Sequence, residues 1–329
     1  MADGGGGRAA GELVAKTFLP HLSNEHLAAL SDGAILPPID GRLAFSTDSF
    51  VVDPIFFPGG DIGSLAVHGT VNDLAVSGAT PLYLSAGFII EEGFPLADLR
   101  KIADSMGRAA KNCGVLVVAG DTKVVARGSA DKIFINTAGI GVVPKGVDIS
   151  AKRVRDGDAI ILSGSIGDHG MAIMSQRKGL KFNSPLQSDS SPLNGLTAEM
   201  LRAEPDIRMM RDPTRGGLAA TLTEIARASG RGMVIEEDAI PVGENVRAFC
   251  ELLGLDVLHV ANEGKLVAFA PSATVGRVLS AMRAHPSGRD AKIIGTVGGA
   301  EPGVVEMRTS FLGRRIIEAL AGDHLPRIC

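Results

Sequence analysis

Four aspartates stand in settings suited to holding a hard cation. They are Asp48 in Ser46-Thr47-Asp48-Ser49, Asp73 in Val71-Asn72-Asp73-Leu74, Asp121 in Gly120-Asp121-Thr122-Lys123, and Asp212 in Asp212-Pro213-Thr214-Arg215-Gly216-Gly217. Carboxylates among small and hydroxylated residues suit Mg²⁺, which takes one or two of them and completes its shell with nucleotide phosphates. Each aspartate taken alone is better read as a turn or cap residue, because Asp favours both. Four of them, spread over both halves of the chain, suggest a common site; their spacing does not show that they converge. Asp73 differs in lying on an expected helix between apolar neighbours, where a carboxylate needs a partner.

Other residues could work beside such a site. Lys123 follows Asp121 by two, so on an extended strand both face the same side. A lysine there can neutralise developing charge or transfer a proton; it also reads as a surface lysine. Glu263, in Asn262-Glu263-Gly264-Lys265, interrupts an apolar run, a place for a general base or for a solvated hairpin tip. Gly4-Gly5-Gly6-Gly7 can wrap backbone N–H groups around an anion, although that composition equally describes a disordered start. Gly164-Ser165-Ile166-Gly167-Asp168-His169-Gly170, between strand and helix, is a weak phosphate-cradle signal. It has neither the P-loop Lys-Ser/Thr nor the dinucleotide-binding spacing. His68 and His169 rank behind these as participants. No His/Cys cluster has zinc spacing, and no Gly-x-Ser-x-Gly elbow is present.

The last six residues are His324-Leu325-Pro326-Arg327-Ile328-Cys329. A terminal thiol on a short tail is a nucleophile that can travel. Pro326 stiffens the approach. Arg327 favours a thiolate while the terminal carboxylate opposes it, so sequence alone does not set the thiol pKa. Alone, Cys329 reads as a frayed end. The other two cysteines fall on apolar helical stripes, Cys113 with Leu99, Ile102, Met106 and Ala109, and Cys250 with Val246, Phe249 and Leu253. They read as small buried hydrophobes, which leaves Cys329 as the reactive candidate.

The elements that must position these residues alternate between helix and strand, so the fold class is α/β (α+β). Strands are expected at 43–52, 81–90, 115–119 and 132–143, with helices at 62–76 and 96–113 after a short one near 11–19 stopped by Pro20. A polar stretch at 144–157 restarts the pattern with the strand 159–162. Residues 182–195 are Ser/Pro/Asn-rich and read as a surface loop. Further strands are expected at 233–236, 258–270, 292–297 and 304–308, helices at 218–228, 246–253 and 275–284, and a last helix at 311–321. This divides the chain into a glycine-rich segment and linker (1–40), an N-terminal domain (41–150), a C-terminal domain (151–308), and a last helix with a mobile tail (309–329).

Composition narrows the classes. The chain has 329 residues, is 45% hydrophobic and carries a formal charge of −4. It needs no disulfide or metal to bury a core, and it has no basic footprint for nucleic acid or anionic membrane. Aromatics are 4%, with no Trp and only Tyr83, against base-stacking platforms. Three cysteines fit a reducing compartment. With no long apolar run and no leader pattern, a soluble cytoplasmic protein is expected.

Ser46-Thr47-Asp48, the run Val71–Ala79 (VNDLAVSGA), Gly120-Asp121-Thr122, Gly157-Asp158-Ala159-Ile160-Ile161 and Asp212–Gly217 (DPTRGG) resemble motifs of the aminoimidazole ribonucleotide synthetase (PurM-like) ATP-binding superfamily, whose members include selenophosphate synthetase and thiamine-monophosphate kinase. The glycine-rich start with the Pro326-Arg327-Ile328-Cys329 end is similar to the carbamoyl dehydratases of [NiFe]-hydrogenase maturation. The resemblance spans nearly the whole chain. It implies a homodimer of two-domain subunits, with N-terminal domains pairing into a barrel-like core and ATP in a groove between domains. It implies that a carbamoyl group from HypF is placed on Cys329, dehydrated to a thiocyanate with ATP, and passed as cyanide to iron on HypC–HypD. Carried over, it places ATP on Gly4, Gly5, Gly6, Gly7, Thr47, Asp48, Asn72, Asp73, Asp121, Thr122 and Asp212. Mg²⁺ falls to Asp48, Asp73, Asp121 and Asp212, and proton transfer and orientation to Lys123 and Glu263. The rival readings are another enzyme of the superfamily, such as a selenophosphate synthetase, or a non-catalytic carrier presenting Cys329. The N-terminal glycine segment lacks the Cys and Lys expected of the former.

Overall fold

The computed structural model describes residues 7–31, 33–177, 186–320 and 327–329. A helical segment opens it: α1 (Gly7–Leu13), a π-turn (Val14–Phe18) and α2 (Leu19–Leu22). Pro20 does not stop it. It falls in the first turn of α2, where no amide donor is required. Phe18 and Leu22 bury themselves against the first sheet.

That sheet has the order β1 (Arg42–Phe50), β6 (Ile133–Val143), β4 (Thr80–Glu91), β5 (Leu116–Val125). Neighbours are antiparallel except β4 and β5, whose parallel pairing requires the crossover helix α4 (Leu96–Cys113). On α4, Leu99, Ile102, Met106, Ala109 and Cys113 all face the core, as their spacing predicts. A short hairpin, β2 (Phe56–Phe57) and β3 (Gly60–Asp61), delivers the chain to α3 (Ile62–Val76). Asp61 caps α3, accepting from the Gly63 and Ser64 amides at 2.7 and 3.1 Å while Ser64 answers its backbone. Nearly every residue of α3 is buried, because it lies between the first sheet and the second half of the chain.

The second sheet is built from β7 (Ala159–Leu162), β8 (Met209–Arg211), β9 (Met233–Glu236), β10 (Val267–Ala270), β11 (Lys292–Val297), β12 (Val305–Arg308) and β13 (Arg314–Ile317). Its order is β13-β12-β9-β11-β7-β10-β8. All four residues of β7 are buried, as a central strand requires. Ile160 and Leu162 meet α7 (Gly217–Ser229) in one core. Ile161 meets α6 (Asn194–Ala203) and α9 (Val275–Ala284) in another. Two further helices, α5 (Asp168–Arg177) and α8 (Glu244–Leu253), close the side facing the first sheet.

Several expectations are corrected. Residues 311–320, the described part of the expected helix 311–321, are not helical. Arg314–Ile317 is the strand β13, which pairs with β12 and buries Ile317, so edge pairing prevails over the apparent helical period. The expected strand 258–270 is strand only over Val267–Ala270; before it, Val257–His259 is a 3₁₀ turn and the backbone runs buried and irregular. Strand β5 does not end before Gly120-Asp121 but carries them in its middle. Residues 186–193 are not merely a surface loop. They thread between α3 and residues 262–265.

Candidate active site

Ser46 and Asp48 alternate with Thr47 along β1, so both face α3 while Thr47 faces away. Ser46 Oγ donates to Asp73 Oδ2 at 2.6 Å, which fixes the helical carboxylate beside the strand. The helix can come this close because Gly69, one turn before Asp73, has no side chain. A Cβ there would lie 2.8 Å from the Phe50 ring and 3.6 Å from Asp48 Oδ2. Asp212 follows β8 into the same region and is buried. Glu263 is buried as well, held by its own backbone: its amide donates to Asp189 Oδ1 at 3.0 Å and its carbonyl accepts from Asn72 Nδ2 at 3.1 Å.

These carboxylates perturb one another. Burial raises the pKa of Asp48, and Asp73 adds to the rise. Burial also raises that of Asp73, against the opposing Ser46 hydrogen bond. Asp212 is pushed up to about 7 by burial and by Asp73 and Asp48. Glu263 goes well above the carboxylate range through burial, then through Asp212, Asp189, Asp48 and Asp73. Arg211 and Arg215 offset only part of this repulsion. Glu263 Oε1 is buried without a hydrogen-bond partner. Crowded acids with an orphaned buried oxygen fit a divalent cation. Among the described residues, no group of three or more His, Cys, Asp or Glu side chains is arranged to hold a metal ion.

The structure thus brings Asp48, Asp73, Asp212 and Glu263 together. It does not bring Asp121 to them. Asp121 pairs across the sheet with Gly87, Gly87 with Asn136, and Asn136 with Ser49. Asp121 and Lys123 therefore share the face of Ser49 and Thr47, opposite to that of Asp48. They also sit three strands away, about 14 Å at ordinary strand spacing. There the two form an exposed ion pair of 3.1 Å. Thr122 points to the other face of β5, into a cleft of about 590 Å³ beneath the N-terminal helices. Gly7 begins α1; Gly4, Gly5 and Gly6 lie outside the described residues. Thr47 Oγ1 donates to the Thr137 carbonyl. Asn72 joins the two halves of the chain: it also donates to the Ser191 carbonyl and accepts from the Leu193 amide at 2.8 Å. The 164–170 loop offers little to an anion. Its Ile166, Gly167 and Gly170 amides are taken by the Pro241 carbonyl, Asn262 Oδ1 and the Ala261 carbonyl.

The C-terminal residues dock on the segment just beyond the end of β1. Val51 N–H donates to the Cys329 carbonyl at 3.0 Å and Asp53 N–H to the Arg327 carbonyl at 3.2 Å, a two-residue periodicity that extends the strand pattern. Arg327 Nε returns a bond to the Val51 carbonyl, and its guanidinium pairs with Asp131. Ile328 is buried in the core of the first half. Its carbonyl contacts His169 Nε2 at 2.9 Å, and Arg177 donates to the Arg327 carbonyl. His169, Arg177, Ser188, Asp189 and Lys265 were not singled out by the sequence. The one available signal was the polar Asp-His-Gly within an apolar helix start. Burial pushes the Cys113 and Cys250 thiols up to about 12 and 11, whereas Cys329 is partly exposed.

Fold and site together define an AIR synthase related protein: the N-terminal domain model of that family matches residues 30–143 and its C-terminal domain model residues 155–308. Carbamoyl dehydratase HypE of Azotobacter vinelandii is 58% identical over 100% of this chain and 96% of its own length. A crystal structure of the hydrogenase maturation protein HypE in complex with ATP superposes with a TM-score of 0.96 at 50% identity, covering 100% of this chain and 99% of that one. A chain of a HypE–HypF complex matches with a TM-score of 0.83 at 49% identity, covering 94% and 99%. The chain belongs to the HypE carbamoyl dehydratases.

Proposed function

We propose that this enzyme uses ATP to dehydrate an S-carbamoyl group on Cys329 to a thiocyanate, the source of the cyanide ligands of the [NiFe]-hydrogenase iron. One observation carries the reading: the last three residues dock beside the strand that leads to the carboxylate cluster. Cys329 bonds to Val51, three residues from Asp48, or about 10 Å along extended chain.

The carbamoyl oxygen is a poor leaving group as it stands. Its attack on the ATP γ-phosphorus, with ADP leaving, makes the oxygen a phosphate ester. Loss of both N–H protons and of phosphate then leaves S–C≡N. The chain's own part is positioning and proton handling. Val51, Asp53 and Arg177 hold the tail, and Glu263 would act as the base that takes an N–H proton. Asp48, Asp73 and Asp212 would hold Mg²⁺, which supplies charge neutralisation at the phosphates. Asp121 and Lys123 lie at the opposite edge of the first sheet from this cluster, beside the helical segment that begins at Gly7. In a homodimer, β1 of one protomer would lie near β5 of its partner and the two half-sites would meet. The open edges of β1 and β5 and the exposed Leu43, Phe45 and Ile89 support that pairing. HypF is the carbamoyl donor in this reading and HypC–HypD the cyano acceptor. A cytoplasmic setting fits three cysteines held as thiols, and among the described residues no helix is long and apolar enough to cross a membrane.

Intact-mass analysis tests the reaction. Carbamoylated protein given Mg-ATP is expected to lose one water at Cys329, and Cys329→Ala to retain folding and ATP binding while abolishing cyano transfer. Persistence of the carbamoyl mass through ATP turnover would refute it.

A further inference from the structure

We propose that His169 is a positioning residue for the C-terminal thiol and that Ser188 holds it in the tautomer this requires. The proposal rests on the reading that Cys329 carries the reacting group.

His169 is fully buried, with its ring edge-on to Phe57 at 5.6 Å. Its two nitrogens have different partners. Nε2 lies 2.9 Å from the Ile328 carbonyl, and Nδ1 lies 2.7 Å from Ser188 Oγ. A carbonyl only accepts, so Nε2 carries the proton. Burial holds the imidazole pKa below its ordinary value, so the ring is neutral and Nδ1 must accept. Ser188 Oγ–H is therefore the donor to Nδ1, and the same oxygen accepts the Ser190 amide at 3.1 Å. Every position in this chain of bonds is filled, and only one arrangement of protons satisfies it.

The network spans the reacting parts. Ser188 is anchored to the first half of the chain, its amide donating to the Pro58 carbonyl at 2.8 Å. Its neighbour Asp189 accepts from the Glu263 amide and from Lys265 Nζ, both at 3.0 Å. A short covalent and hydrogen-bonded path thus runs from the last peptide of the tail to the Glu263 backbone. Val51, Asp53 and Arg177 hold residues 327 and 329, while His169 holds the peptide between them, the one attached to the thiol-bearing residue. A tail that leaves exposes a buried N–H beside the Phe57 ring without an acceptor, which favours the docked state.

The test uses the full-length protein and three variants, carbamoylated and given Mg-ATP for the water-loss measurement and uncarbamoylated for the alkylation measurement. His169→Phe fills the space without a donor. His169→Gln keeps a donor near the Nε2 position, and Ser188→Ala removes the proton that sets the tautomer. Three quantities are read: the single-turnover rate of water loss at Cys329, the ATP Kd, and the rate of Cys329 alkylation by iodoacetamide, with Cys113 and Cys250 as buried references. His169→Phe is expected to slow water loss and speed alkylation roughly tenfold each, the factor one buried hydrogen bond supplies, with ATP Kd unchanged. Ser188→Ala should shift both in the same directions by about threefold, and His169→Gln should recover most of both. The proposal is overturned if His169→Phe keeps wild-type rate and protection, if Gln is no better than Phe, or if loss of ATP affinity accounts for the slower rate. Should His169→Phe not fold, unchanged rate and protection in Ser188→Ala would overturn it alone. Failure of the unsubstituted protein to lose water would instead refute the dehydratase reading.

Discussion

Glu263 and Asp212 owe their chemistry to their surroundings. Burial, followed by the neighbouring Asp212, raises the Glu263 carboxyl well above its ordinary range and favours its neutral form. Glu263→Gln copies that neutral form in shape and charge. It should fold with undiminished stability and bind ATP, yet lose water at Cys329 at least about a hundredfold more slowly, because the amide cannot accept a proton. Wild-type single-turnover rates in that variant would exclude Glu263 as the base. Asp212 makes a stability prediction for metal-free protein. Its folded pKa, about 7, lies above the ordinary carboxylate value of 3.8, so the folded state binds its proton more tightly than the unfolded chain does. The resulting stability is full below about pH 4 and is lost as pH rises through 7, at up to about 1.4 kcal/mol per pH unit. Asp212→Asn should flatten that fall, and urea unfolding in EDTA at pH 5 and 7.5 measures it. An equally steep fall in the variant would assign the pH dependence elsewhere.

At the scale of elements, the site depends on how closely three backbone segments approach. Helix α3 lies against β1 at Gly69, residues 186–193 lie against α3 through Asn72, and the 262–265 segment lies against Asp189. Gly264 marks the last approach: a Cβ there would run into the Asp189 carbonyl and Ser191 Oγ. Gly264→Ala is expected to cost about 1–3 kcal/mol, by forcing apart backbone that has no room to yield. Because the same shift moves Glu263, turnover should fall together with the thermal midpoint. An unchanged midpoint would mean that the seam is softer than its contacts indicate. Much of this scale was legible in sequence. The period along α4 and the apolar run of β7 identify themselves, since a period-3.6 stripe and a short apolar run have few alternatives. The strand Arg314–Ile317 did not, because its edge position and its pairing with Val305–Arg308 are non-local facts. Nor did the buried irregular course of 260–266, whose backbone groups are satisfied by partners far away in the chain, such as Pro213, Asp189 and Asn72.

For the whole molecule, the separation of Asp48 from Asp121 is the decisive feature. One sheet cannot bring both to a single cation when they lie on opposite faces and three strands apart. The proposed homodimer, with sites shared between its protomers, predicts complementation. Asp48→Ala and Asp121→Ala should each be inactive alone, but unfolding and refolding them together should restore about a quarter of wild-type activity. Half of randomly assorted dimers would then be mixed, each with one intact site. No recovery from verified mixed dimers would place each site within one protomer.

What the sequence by itself determined is the chemistry on hand and its local framework. Hard oxygen ligands, a reactive thiol left over when Cys113 and Cys250 fall on apolar stripes, and alternating strands and helices all follow from residue type and short-range period. Tertiary structure alone decided which carboxylates meet, because convergence depends on Gly69 letting α3 reach β1 and on β8 ending beside both. It also decided where Cys329 rests. The tail is held by Val51, Asp53, His169 and Arg177, residues more than 150 positions away except for Arg177, at exactly 150. No local pattern encodes such contacts, since their free energy comes from backbone groups and a buried imidazole that only the folded chain brings within hydrogen-bonding distance.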